Sequence, residues 1–298
     1  MNNAVNEPVA DVAGDYAAPA QKQGYILIPK VGVDTPGIIM GDAAARLSNG
    51  KEPYPVIVMN KDDAIAFQRS MTQYLEENKD VLNDAGVSTV KVSRGRSKKR
   101  SEGLSEMSCW LAQAVKSENV RILNNEVVKV IESLCPDSTK LYIVGHGSDG
   151  GNGMYYKDSG GKFKRISPAE LAEQLKAAGL SAKYRDIRLL CCHGACQPED
   201  ESKTSTARKI TNALGKAGFK DVDLSAYEGP VSTNPKLFDG TLHSSVTRDG
   251  QSKPVRRSQA RKTLQYAQPA ATKNLPAEST MQSGLEELSL TGAHGPTQ

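Results

Sequence analysis

The chain has 298 residues, with 38% hydrophobic and 5% aromatic content. That is too little apolar matter to pack the whole length, so a folded core of about 200 residues with polar ends is expected. The net charge of +4 is mild and does not call for a nucleic-acid partner, and no stretch approaches the roughly 18 apolar residues that span a bilayer.

Residues 1 to about 23 are rich in Ala, Asn, Asp and Pro without periodicity, and residues 1–50 are assigned to a mostly disordered segment. Its start, Met1-Asn2-Asn3-Ala4-Val5-Asn6-Glu7, lacks the basic region and apolar core of a Sec signal peptide, and a polar start is compatible with type III secretion. Within this segment Tyr25-Ile26-Leu27-Ile28 predicts a short outer strand, and 37–55 reads as a connection. The folded domain is expected over 51–250. It opens with the strand Pro55-Val56-Ile57-Val58-Met59, then a helix through Phe67, Met71 and Leu75, with Asp62 and Asp63 in its first turn to suit the helix dipole. A second strand is predicted at 88–92, then a basic loop, then helices at about 104–116 and 122–134. After the central region a helix is expected over 204–214, with Gly215 and Gly218 at its end, and a strand at 222–227. Residues 251–298 lose apolar periodicity and are read as a flexible basic and polar tail. Strands alternating with helices indicate an α/β domain with a mainly parallel sheet. Five cysteines, Cys109, Cys135, Cys191, Cys192 and Cys196, form an odd set with no framework spacing, which fits reduced thiols. Cys109 and Cys135 fall in helical patterns and read as core. His243 and His294 stand in polar contexts and read as exposed.

The centre of the chain holds two apolar runs that each end in a reactive side chain. Leu141-Tyr142-Ile143-Val144 leads into Gly145-His146-Gly147, and Ile187-Arg188-Leu189-Leu190 leads into Cys191-Cys192-His193-Gly194. Both read as buried strands. A helical pattern opened by Ser167-Pro168 lies between them, so the order is strand, helix, strand, which makes the strands parallel and adjacent. Their carboxyl ends then share the sheet edge where open α/β sheets place their sites. A neighbouring imidazole can take a thiol's proton or stabilise the thiolate, so His146 is a candidate base and a cysteine a candidate nucleophile. Neighbours in a strand face opposite ways. Cys192, just past the apolar run where the chain turns, is the favoured nucleophile, with Cys191 and Cys196 as alternatives. Gly194 supplies the unusual dihedrals of that turn. Backbone N–H groups near Gly147 and Cys192 are candidate oxyanion donors.

The pattern of apolar strand, His-Gly, spacer, apolar strand and Cys resembles that of the clan CD cysteine peptidases. Val144-Gly145-His146-Gly147 is similar to their histidine block and Leu189-Leu190-Cys191-Cys192-His193-Gly194 to their cysteine block. The closest resemblance, over roughly residues 54–230, is to the self-cleaving peptidase domain of RTX-type toxins and to free-standing bacterial effectors of the OspB type. It implies a three-layer caspase-like fold, a cysteine endopeptidase with the His146/Cys192 dyad, and a host protein as substrate. It implies a protein secreted by a bacterium, by a type III or similar route, and acting in host cytoplasm. It also implies activation by inositol hexakisphosphate, without a metal.

The basic groups fit such a ligand, because Arg and Lys together bind phosphates well. Arg94, Arg96, Lys98, Lys99 and Arg100 form one cluster, Lys162, Lys164 and Arg165 another, and Arg188 lies in the cysteine strand. These stretches lack interleaved aromatics, which argues against single-stranded nucleic acid. Glu228, just past a strand end, is a candidate specificity residue for a basic side chain before the scissile bond, with Asp149 after the His-Gly block as a second acidic group. Two other readings stand beside the peptidase: a non-catalytic interaction module on the same fold, and a zinc protein using Cys191, Cys192, His193 and Cys196.

Overall fold

The computed structural model describes residues 22–79, 127–197, 204–232, 234–248 and 250–266. Its centre is a six-stranded sheet. In chain order the strands are β1 (Gln23–Ile28), β2 (Val56–Val58), β3 (Thr139–Val144), β6 (Asp186–Leu190), β7 (Asp223–Tyr227) and β12 (Arg261–Gln265). Across the sheet they run β12-β7-β6-β3-β1-β2. All neighbours pair in parallel except β12, which is antiparallel to β7. Two short strands, β4 (Met154–Lys157) and β5 (Phe163–Ile166), form a hairpin between β3 and β6. After β7, β8 (Lys236–Phe238) pairs with β9 (Thr241–His243), and β10 (Ser245–Val246) with β11 (Val255–Arg256).

The central strands are buried on both faces, which is why they read as unbroken apolar runs. Leu27, Ile57, Leu141, Ile143 and Leu189 face one way, onto α3 (Val127–Glu132), α4 (Pro168–Ala177) and α5 (Thr206–Ala217) through Ile131, Leu171, Leu175, Ile210 and Leu214. Ile26, Ile28, Val56, Val58, Tyr142 and Val144 face the other way, onto Ile39 of α1 (Thr35–Leu47) and Ala64 and Phe67 of α2 (Lys61–Glu77). Helix, sheet and helix make three layers, the caspase-like α/β architecture. The helix starts follow local chemistry. Asn60 caps α2 by accepting from the Asp63 N–H at 2.8 Å, and Ser167 caps α4 by accepting from Glu170 N–H, with Pro168 in its first turn. Gly218, at φ 113°, closes α5 in the left-handed conformation.

Several expectations need correction. β1 is not an outer strand: it lies between β2 and β3, because Ile26, Leu27 and Ile28 bury both of its faces. The expected connection at 37–55 holds most of α1, whose Ile39, Met40 and Ala43 to Ala45 are buried. The domain also continues past 250. β12 contributes five register pairs to the central sheet and buries Leu264, but its Arg261, Lys262 and Thr263 are exposed. Such a polar edge strand leaves little apolar signal. Cys135 is exposed rather than core, because it lies in the turn beyond α3. The strand expected at 88–92, the helix at 104–116, Cys109, His294 and the Arg94–Arg100 cluster lie outside the described residues.

Candidate functional site

The register sets Val144 opposite Leu190, so β3 and β6 end level. Beyond them the Gly145 N–H donates to the Leu190 carbonyl at 3.3 Å. His146 then leaves the sheet and makes a two-bond antiparallel bridge with Tyr155 of β4, at 2.7 and 2.9 Å. Its ring is held from two sides. Nε2 lies 2.8 Å from Asp34 Oδ2, and Phe163 of β5 meets it edge-on with centroids 5.2 Å apart. Asp34 follows β1, so three adjacent parallel strands bring an acid, an imidazole and a thiol to one sheet edge. Burial raises the Asp34 pKa, but the His146 hydrogen bond and charge outweigh that, leaving the carboxyl below its ordinary value. A charged Asp34 accepts Nε2–H, which fixes the tautomer and leaves Nδ1 as the basic nitrogen.

The two adjacent cysteines divide by burial. Cys191 is 1% exposed, and burial pushes its thiol up to about 12, which keeps it protonated. Cys192 is half-buried. Its Sγ accepts the Val231 N–H at 3.3 Å and lies 3.8 Å from the Val231 carbonyl oxygen. The turn's unusual dihedral falls on His193, at φ 52°, rather than on Gly194. A left-handed non-glycine residue costs about 1–3 kcal/mol, and here the His193 N–H bond to Gly229 O at 2.9 Å helps to hold it. Space is tight at Gly194: a Cβ there would lie 3.0 Å from Cys191 Sγ, which would have to give by a few tenths of an ångström. Gly147 shows how closely the two strand ends meet, because a Cβ on it would collide with the Cys192 carbonyl oxygen. The chain after His146 is therefore laid directly on the Cys191-Cys192 turn.

The zinc alternative loses its geometry. Cys191 packs against Gly147 and Gly194, Cys192 turns to Val231, and Cys196 lies 3.5 Å from His193 Nδ1. Among the described residues no group of three or more His, Cys, Asp or Glu could hold a metal ion. Glu228, still partly exposed, forms an ion pair with the exposed Lys262.

The cations that were grouped together separate in the fold. Lys162, Lys164 and Arg165 belong to the β4–β5 hairpin, and Lys164 pairs with Asp158 at 3.9 Å. Arg188 instead lines a cavity of about 200 Å³ with Arg46, Lys51, Arg256, Arg257 and Arg261. Tyr54, Tyr142 and Tyr227 also line it, and Arg46 sits 3.5 Å over the Tyr54 ring. Lys140, near this ring, has its pKa brought down to about 8, by burial first and then by Arg188 and Arg46. His243, expected to be exposed, is half-buried on the cavity wall; burial, then Arg256 and Lys51, lower its pKa.

Sequence reasoning missed Asp34 and most of this cavity. A signal for Asp34 was present: an acid just before Thr35-Pro36 at a helix start marks a cap position on the edge that carries the site.

Residues 103–236, which include β3, β6, His146 and Cys192, match the family model described as the Peptidase C80 family. No curated protein and no solved structure matches the chain.

Proposed function

We propose that this chain, whose residues 103–236 belong to the Peptidase C80 family of clan CD cysteine peptidases, cleaves host proteins with a His146/Cys192 dyad and is switched on by inositol hexakisphosphate. The observation that carries this reading is the half-buried Cys192 turn lying against Gly147, the residue that follows His146, whose Nε2 is held by Asp34. His146 Nδ1 takes the Cys192 proton and the thiolate attacks the peptide carbonyl. N–H groups of Gly147 and Cys192 hold the oxyanion. The imidazolium then protonates the departing amine, and a water deprotonated by His146 releases the acyl group from sulfur.

The cavity supports the activator. Six Arg and Lys side chains converge on it; Arg188, Arg256 and Arg257 pair with Asp186, Asp239 and Asp42, which still leaves more cations than carboxylates there, and forked guanidinium groups suit phosphate. A backbone route links it to the sulfur. Arg256 on the cavity wall ends β11, β11 pairs with β10, Val246 of β10 bridges Val231, and the Val231 N–H donates to Cys192 Sγ. An enzyme silent until it meets an abundant host polyanion fits a bacterial effector delivered into host cytoplasm.

Inositol hexakisphosphate at about 100 times its Kd stabilises the folded form by about 2.7 kcal/mol, or about 5–10 °C in Tm for a domain of this size. It should also start cleavage of a proteome-derived peptide library. The Arg46→Gln/Lys51→Gln double variant should lose most of the shift. No shift in the wild type would remove the activator.

A further inference from the structure

The β4–β5 hairpin carries a side-chain set that the dyad does not use. Register places Lys157 opposite Phe163 and Tyr155 opposite Arg165, and Tyr155 bridges His146. Directly opposed residues project to the same face, so Tyr155, Lys157, Phe163 and Arg165 share the face that His146 joins. The other face is structural, with Met154 and Ile166 buried. Phe163 is 59% exposed although its ring touches the His146 ring. Val33, 37% exposed and next to Asp34, is tied to the same hairpin, since its N–H donates to the carbonyl of Lys157, the register partner of Phe163, at 3.0 Å.

A large aromatic left open to water beside a reacting imidazole gains stabilisation only when something apolar covers it. The chemistry says what covers it. In acyl transfer to Cys192 the imidazole hands its proton to the leaving amine, so the residue bearing that amine stands against His146. We infer that Phe163 and Val33 form the subsite for the residue immediately after the scissile bond, that this residue is apolar, and that Lys157 and Arg165 disfavour a basic residue there. This rests on the His146/Cys192 reading above.

Digestion of a proteome-derived peptide library with inositol hexakisphosphate present, followed by mass spectrometry, reads the residues on both sides of each cut. The wild type should favour Phe, Leu or Met over Gly after the cut by roughly 10-fold, the scale of one apolar contact in a pocket, and should rarely cut before Lys or Arg. Phe163→Ala should reduce the apolar-to-Gly ratio to near one. The ratio rather than the rate is the readout, and the variant's Tm reports its folding. No apolar enrichment in the wild type, or the same enrichment in Phe163→Ala, overturns the subsite. If the wild type cuts nothing, or Cys192→Ala cuts as well as the wild type, the dyad reading beneath it falls too.

Discussion

Cys192→Ala should lower peptide cleavage by at least about 1,000-fold, while Cys191→Ala should keep most of it. If Cys192 is the nucleophile, as proposed, its removal takes away the whole acyl-sulfur pathway. The neighbouring sulfur cannot replace it, because Cys191 is 1% exposed, faces Gly147 and Gly194, and is held protonated by burial. Cys191→Ala acts on packing instead. Truncating a buried side chain that fits tightly against two glycines should cost on the order of 1 kcal/mol, seen as a lower Tm with cleavage retained. Steady-state cleavage and thermal melting of both variants check this. Cleavage lost in Cys191→Ala and kept in Cys192→Ala would move the nucleophile by one residue.

The second large effect is on stability. Arg257 Nη2 donates to Asp42 Oδ1 at 2.9 Å, and the side chains are only 17% and 6% exposed. Burial opposes the guanidinium charge, but Asp42 and the nearby Tyr227 and Tyr142 outweigh it, so the pKa of Arg257 stands above its ordinary value. This pair clips the turn before β12 to α1. Arg257→Met should lower stability by about 3–5 kcal/mol, because it leaves the Asp42 carboxylate buried without its cation. The double variant Asp42→Asn/Arg257→Met should recover most of that loss. Denaturant unfolding of both single variants and the double gives the coupling directly. A loss below about 1 kcal/mol for Arg257→Met would show that water or another group meets the Asp42 charge.

What could be read from the sequence follows from where the signals were local. The strands that end at His146 and Cys192 were legible because parallel strands buried on both faces carry unbroken apolar runs. Their side-by-side pairing followed from the helix that Ser167 and Pro168 open between them. Asp34 was hidden because it meets His146 across 112 residues of sequence and follows a strand read as peripheral. The cavity was hidden for a related reason. Clusters such as Lys162, Lys164 and Arg165 stand out in a sequence, but Arg46, Lys51, Arg188 and Arg257 come from separate elements and converge only in space. β12 was read as tail because only Leu264 of its five residues is buried.

The most direct test is the rate at which iodoacetamide alkylates Cys192 at pH 6.5, with the modified residue located by peptide mapping and inositol hexakisphosphate present. An imidazole at the sulfur holds thiolate where an isolated thiol would stay protonated. The wild type should therefore react at Cys192 at least about 10 times faster than His146→Ala, with Asp34→Asn in between. Equal rates in the wild type and His146→Ala, or modification falling on Cys135 while Cys192 stays inert, would contradict the pairing of that imidazole with that sulfur.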